Sequence, residues 1–414
     1  MNWIFLKQNN VSIGNQLIWV RTKCMLFLCA VGMLILTSCR SSVESIDPEP
    51  ELPIDIPEGD VSVAAYYFPN WGPVAESEWQ LIKFAKPRFD GHQQPKVPLW
   101  GYENENEPTV MSKKIEAAVS HGIDAFIFDW YYFDQPHGKY LYKALEEGFL
   151  EAGNNTDIKF ALMWCNHDVG DMKGAVSPAT FTEIMDYIIE KYFKHPSYWL
   201  IDGCPYFSIY QMHTFIETFG GDVQKAAEAI ELFRSKVKAA GFKDLHLNGV
   251  LFGLNNYMDV AVNNLKMNST TSYVWIHHNA LPSFPATKYE VAADQYFRNI
   301  ENGGGANGLE KPAASIPVPY HLNVSMGWDS SPRCRNASDW MERRDYPYGA
   351  VITDNTPYLF KKALAKAKKI TMQKPPGERI ITINSWNEWG EGSYLEPDTR
   401  HEMKYLEAVR DVFK

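Results

Sequence analysis

From Val61 onward, short apolar runs rich in β-branched and aromatic residues alternate with stretches whose apolar positions recur every three to four residues. The runs cover residues 61–68, 124–130, 158–164, 205–210, 245–252, 271–276, 321–326 and 379–383. Helical periodicity falls near residues 108–121, 138–153, 178–193, 223–240, 256–267, 286–303, 355–371 and 401–413. Strands that are apolar on both faces and each followed by a helix predict parallel βα units. Eight such units in succession predict a single closed (β/α)8 barrel of the α/β class, with long βα loops, over residues 61–414. An open doubly wound sheet is the alternative, but no Gly-rich phosphate loop follows the first strand.

A barrel places its chemistry at the C-terminal ends of the strands. Those ends carry aromatic residues with carboxylates, amides and imidazoles. The first supplies Tyr66, Tyr67 and Trp71; the second Asp129 and Trp130; the third Asn166 and His167; the fourth Tyr210. The sixth supplies Trp275, His277 and His278, and the seventh Trp328 and Asp329. Any one of these alone reads more readily as core or as support, so the expectation rests on their joint placement. A long polar loop after the first strand adds His92 within Phe89-Asp-Gly-His-Gln-Gln-Pro95, either as a ligand of substrate or as a structural loop histidine.

The eighth strand runs into Asn384-Ser-Trp-Asn-Glu-Trp-Gly-Glu-Gly-Ser-Tyr-Leu-Glu-Pro-Asp398. Trp386, Asn387 and Trp389 flank Glu388, and Gly390 and Gly392 flank Glu391. Two carboxyls among aromatic rings suit glycosidic-bond chemistry, where one group protonates the departing oxygen and the other acts as base or nucleophile. The alternative is a pair of solvated loop acids. Glu396 reads as a structural acid.

Composition places this domain outside a cytoplasmic nucleic-acid setting. Arg21 and Lys23 precede an apolar run, residues 25–36, that ends in Leu-Thr-Ser-Cys39. This is the layout of an export signal, too short to span a bilayer comfortably, and its end resembles a bacterial lipobox. Residues 1–38 are therefore expected to be removed, Cys39 to be lipidated, and residues 39–60 to form a flexible acidic tether. The resulting expectation is a bacterial envelope protein, monomeric and held to the membrane by lipid alone. Loss of Lys7, Arg21 and Lys23 would move the net charge from −10 to −13, which disfavours nucleic acid. Cys165, Cys204 and Cys334 show neither disulfide nor zinc spacing. No cofactor or metal is expected.

The block Trp386-Asn-Glu-Trp-Gly-Glu-Gly-Ser-Tyr-Leu-Glu-Pro397 resembles the signature of family-99 glycoside hydrolases and their WbsX-like relatives. Phe89–Pro95, Gly122–Phe126, Met326-Gly-Trp-Asp-Ser-Ser-Pro-Arg333 and Thr356-Pro357 resemble the WbsX-like branch, so the similarity spans the whole barrel. It implies a (β/α)8 fold acting on α-linked sugars, with endo-α-mannosidase as the best-known activity. It further implies that Glu388 assists attack by the sugar's own 2-hydroxyl and that Glu391 is the general acid and base, with net retention. Mannosidase members usually carry His where this chain has Gly390, so the resemblance leaves the sugar open. Some relatives are described as glycosyltransferases of surface polysaccharides. The competing readings are such a transferase, a non-catalytic glycan-binding lipoprotein, and a metal hydrolase using His167, Asp168, His277, His278 and Asp329.

Overall fold

Burial of nearly every apolar strand residue, with helices packed outside, closes the sheet on itself. The computed structural model describes residues 52–72, 76–334, 340 and 345–414. The expected leader, Cys39 and most of the tether lie outside the described residues. Residues 54–414 form one compact unit.

Eight parallel strands make the barrel. They are β1 (Ser62–Tyr67), β2 (Ala125–Tyr132), β3 (Lys159–Trp164), β4 (Cys204–Gln211), β5 (His246–Val250), β6 (Ser269–Thr271), β7 (Tyr320–Ser325) and β8 (Ile380–Asn384). Each pairs with its neighbours in sequence order, and β1 pairs with both β2 and β8, which closes the ring. The registers Ala64↔Thr382 and Ala64↔Ala125 fix that closure. The principal helices are α1 (Glu76–Lys83), α2 (Pro108–Ser120), α3 (Pro178–Ile188), α4 (Val223–Ala239), α5 (Tyr289–Asn302), α6 (Pro357–Thr371) and α7 (Lys404–Phe413).

Local sequence sets several helix starts. Ser177, Asp222 and Thr356 cap α3, α4 and α6 by accepting from backbone amides of the first turn, and Pro178 and Pro357 begin α3 and α6. Two expected elements differ. Residues 138–153 give a short strand, Lys139–Tyr140, antiparallel to β2, and a π-helical segment, Ala144–Phe149. The sixth strand spans Ser269–Thr271 instead of 271–276, because the chain turns into a 3₁₀ helix at Trp275–His277.

A satellite core sits where the long βα loops meet. Cys334, Trp340 and Val351 pack with Phe89, Phe284, Ala286 and Tyr348, beneath a small parallel pair of Ala286–Lys288 and Val351–Thr353. This layer positions the loop segments that reach the site.

Candidate active site

Strand alternation decides which strand-end residues can meet. On β2, Asp129 and Tyr131 point inward, while Trp130 turns outward and donates its Nε1–H to Tyr192 Oη at 3.3 Å. On β1, Tyr66 points inward, with its ring 4.8 Å from that of Tyr273. Tyr67 turns outward against Phe126 and Phe128 and reaches Met111 Sδ. Trp275 also faces outward, stacked on Tyr296 beneath α5, because the early end of β6 shifts its phase. Tyr67, Trp130 and Trp275 are thus corrected from sugar-binding candidates to packing between barrel and helices.

The segment after β8 divides into a scaffold and two working groups. The Asn384–Ser385 peptide is cis. Asn387–Glu388 pairs antiparallel with Ser393–Tyr394, and the turn between them holds a 3₁₀ helix, Trp389–Glu391, closed by Gly392 at φ 62°. Asn387 Nδ2 donates to Phe68 O and Glu105 Oε1, both at 2.9 Å, and its Oδ1 accepts from Phe68 N at 2.8 Å. Trp71 Nε1 donates to Asn387 O at 2.8 Å. Trp389 stacks on Tyr394 at 3.7 Å and donates to Glu396 Oε2 at 2.7 Å. Lys114, fully buried, bridges Glu105 and Glu396. Trp386 packs against Phe126. Trp71, Trp386 and Asn387 therefore hold the loop, which corrects their assignment to substrate contact: their polar atoms or faces are taken up by the chain itself.

The two remaining side chains of this loop are Glu388 and Glu391. Glu388 is buried, and among the described residues its Oε2 has no hydrogen-bond partner. Arg333 Nη2 stands 3.7 Å from that oxygen, and Arg333 Nη1 is 3.0 Å from Glu78 Oε2. Glu391 Oε1 accepts from Tyr346 Oη at 2.8 Å. Burial pushes the Glu388 carboxyl well above the glutamate range, and the charge of Glu391 pushes it further. Burial also raises Glu391, while Arg333 and the Tyr346 hydroxyl pull it back. The charge of Glu391 disfavours a second charge on Glu388, so the pair holds one proton over an extended pH range.

Asp129 faces the same space. Its Oδ2 accepts from Tyr273 Oη at 3.0 Å, its Oδ1 is buried with no partner among the described residues, and burial raises its pKa well above normal. Tyr131, His167 and Tyr210 form a neighbouring aromatic wall, with ring separations of 5.7 Å and 5.8 Å. His277 stacks on Phe252 at 4.1 Å, and burial lowers its pKa to about 3. Asn166 clips the ends of β3 and β4 by hydrogen bonds to both backbone groups of Gln211. Trp328 lies beside Tyr346, with ring centroids 6.2 Å apart.

Asp329 and His92 belong to a clamp at the edge of the site. Asp329 Oδ2 accepts from His92 Nε2 at 2.9 Å and Gln94 Nε2 at 2.7 Å, with Lys96 Nζ at 3.2 Å. Against the cost of burial, Lys96 and His92 hold the Asp329 carboxyl well below the usual range. This ties the loop after β1 to the loop after β7. The side chains of the metal-hydrolase reading are dispersed: Asp168 pairs with Lys173, and His278 Nδ1 meets Ala306 O. Among the described residues, no three His, Cys, Asp or Glu side chains gather as a metal-holding group.

The barrel strands from β2 to β8, the closing block after β8 and the clamp after β7 all lie within the segment that one family model matches. The family model described as "Glycosyltransferase WbsX" matches residues 64–409. The chain belongs to the WbsX family. The uncharacterized protein WxcX of Xanthomonas campestris pv. campestris is 26% identical over 385 residues, covering 85% of this chain and 49% of WxcX. This WbsX-family chain thus spans about half the length of the curated relatives it matches. Among solved structures, a glycoside hydrolase-like protein superposes with a TM-score of 0.58 at 14% identity, over 88% of this chain and 96% of its own. The GH99 endo-α-mannosidase of Bacteroides thetaiotaomicron gives 0.49 at 17% identity, over 86% and 97%. At such identities the likeness is one of fold.

Glu78, Tyr131, Tyr273, Arg333 and Tyr346 are site residues that sequence reasoning passed over. Alternation from Asp129 would have found Tyr131. Arg333 closes the Ser-Ser-Pro-Arg333 motif that carried the WbsX resemblance. Glu78 on α1 and Tyr346 in the loop after β7 carry no local signal.

Proposed function

We propose that this chain is a retaining glycoside hydrolase that cleaves α-linked polysaccharide or oligosaccharide. The observation that carries the reading is the pair Glu388, buried, and Glu391, half-buried, at the mouth of the barrel, with raised proton affinities and unequal partners. Glu388 takes the proton of the substrate's 2-hydroxyl as that oxygen attacks C1. The C1–O bond to the leaving sugar breaks, and Glu391 gives its proton to the departing oxygen. Glu391 then takes a proton from water, whose oxygen opens the resulting 1,2-anhydro ring at C1, and Glu388 returns its proton to O2. Asp129, held by Tyr273, is placed to bind a substrate hydroxyl, and the Tyr131–His167–Tyr210 wall offers faces for sugar rings.

The active form carries one proton on the pair, so the pH profile of kcat/KM should be bell-shaped. Both limbs should lie above the ordinary glutamate range: activity is lost on the alkaline side as Glu391 loses its proton and on the acid side as Glu388 gains one. A single acid limb near the ordinary glutamate pKa would contradict the assignment. Proton NMR of the first product should show the α-anomer before mutarotation; β-anomer first would exclude retention.

A second reading, transfer of a sugar, is favoured by the family description itself. It is separated by donor: a transferase turns over only with an activated sugar. The leader pattern supports action at the cell envelope through a lipid on Cys39, and metabolic labelling with a palmitate analogue should be lost in Cys39→Ala.

A further inference from the structure

The space beside Gly390 is occupied by a guanidinium. A Cβ on residue 390 would lie 2.7 Å from Arg333 Nη2 and 2.9 Å from its Cζ. Gly390 does not adopt a positive φ, so the absence of a side chain answers to space and not to backbone conformation. The 3₁₀ turn Ser331–Arg333 carries the arginine in, and Glu78 on α1 holds its other nitrogen. Its Nε is buried and has no hydrogen-bond partner among the described residues. The arginine is thus fixed between an anchoring carboxylate and the two glutamates of the turn, in a niche that the glycine leaves open.

We propose that Arg333 is a positioning residue that lowers the proton affinity of Glu388 and so draws the shared proton toward Glu391. This rests on the roles given to Glu388 and Glu391 under the proposed function. The geometry is asymmetric in the required sense. Arg333 Nη2 faces Glu388 Oε2 at 3.7 Å, whereas Glu391 has a neutral partner, the Tyr346 hydroxyl at 2.8 Å. A separation of 3.7 Å stabilises the charge of Glu388 without fixing the carboxylate in a tight bidentate pair, so the oxygen stays available to a hydroxyl.

The other groups around Glu388 act against ionisation. Glu391, Asp129 and Glu78 repel its charge, and the phenols of Tyr131, Tyr210 and Tyr273 and the Cys165 thiol enclose it. Arg333 itself faces Tyr346, Glu78, Glu388 and Glu391. Without this cation, the more deeply enclosed Glu388 would hold the proton more firmly, and the form that carries it on Glu391 would become scarcer.

The test titrates Glu388 directly. Infrared difference spectra of wild type minus Glu388→Gln follow the carboxyl stretch of Glu388 against pH, whether or not a substrate is known. Arg333→Met should move the midpoint upward by about one pH unit, a tenfold change in the ionisation constant. Arg333→Lys, which restores the charge, should return it most of the way. Gly390→Ala displaces the guanidinium without removing it and should shift the midpoint in the same direction by less. If Arg333→Met does not fold, Gly390→Ala carries the test. An unchanged midpoint in either folded variant overturns the proposal. A shifted midpoint in a protein with no hydrolase activity upholds the role of Arg333 and refutes the proposed reaction instead.

Discussion

Glu391→Gln is expected to lower kcat by about 10²–10⁴-fold on a glycan whose leaving group is a sugar, with the affinity for intact oligosaccharide preserved. Glutamine keeps the shape of the side chain and its contact with Tyr346 Oη, but it has no proton to give. An aryl glycoside with an acidic leaving group needs no such proton, so the first step in Glu391→Gln should recover on that substrate. Glu388→Gln should lose activity on both substrates, because its deficit lies in activating the nucleophile. Steady-state and burst kinetics on the two substrate types separate these cases. Equal losses on both substrates for Glu391→Gln would remove it as the acid.

Glu388→Gln should also change stability in a pH-dependent way. The folded-state pKa of Glu388 is raised by burial, so its contribution to stability is present while it is protonated. That contribution is lost as pH rises through the folded value. The advantage of Gln over Glu in thermal unfolding should therefore grow with pH above the ordinary glutamate range.

Lys114→Met is expected to destabilise the barrel by about 3–5 kcal/mol, since it leaves Glu105 and Glu396 buried without their cation. Burial already pushes Glu105 up to about 7 in the presence of Lys114. With the ammonium gone, the charge of Glu105 loses its main compensation. The loss measured by urea unfolding should then be smaller in mild acid than in mild base, because a raised carboxyl pKa costs stability as pH rises. Activity should fall as well. Lys114 reaches both flanks of the turn, through Glu105 to Asn387 and through Glu396 to Trp389. A pH-independent loss would mean that the methionine fits poorly and that the charge network is incidental.

Much of the architecture was legible because strand-and-helix alternation is written in short-range pattern. All eight expected strands exist, and the glutamate pair stands after the eighth, as the apolar run over 379–383 implied. The errors share a cause. A strand end gives the order of residues but not the phase, and a shift of one position reverses a side chain. Trp275 was placed by a strand that ends at Thr271, and Trp130 by adjacency to Asp129. Tryptophans also drew attention as sugar platforms, whereas Trp71, Trp386 and Trp389 brace the catalytic turn. Arg333 and Tyr346 lie more than forty residues from the glutamates they touch, so no local pattern could pair them. Gly390 read as a departure from a family habit, and its meaning emerged only with the arginine beside it.

The central claim, that the Glu388–Glu391 pair hydrolyses an α-glycosidic bond, is tested most directly by reducing-end release from a panel of α-linked polysaccharides. The panel should be run with wild type, Glu388→Gln and Glu391→Gln, with and without nucleotide sugars. New reducing ends from at least one polysaccharide, made without any activated sugar and abolished by either substitution, is the result expected. Turnover that requires a nucleotide sugar, or release that survives both substitutions, would contradict it.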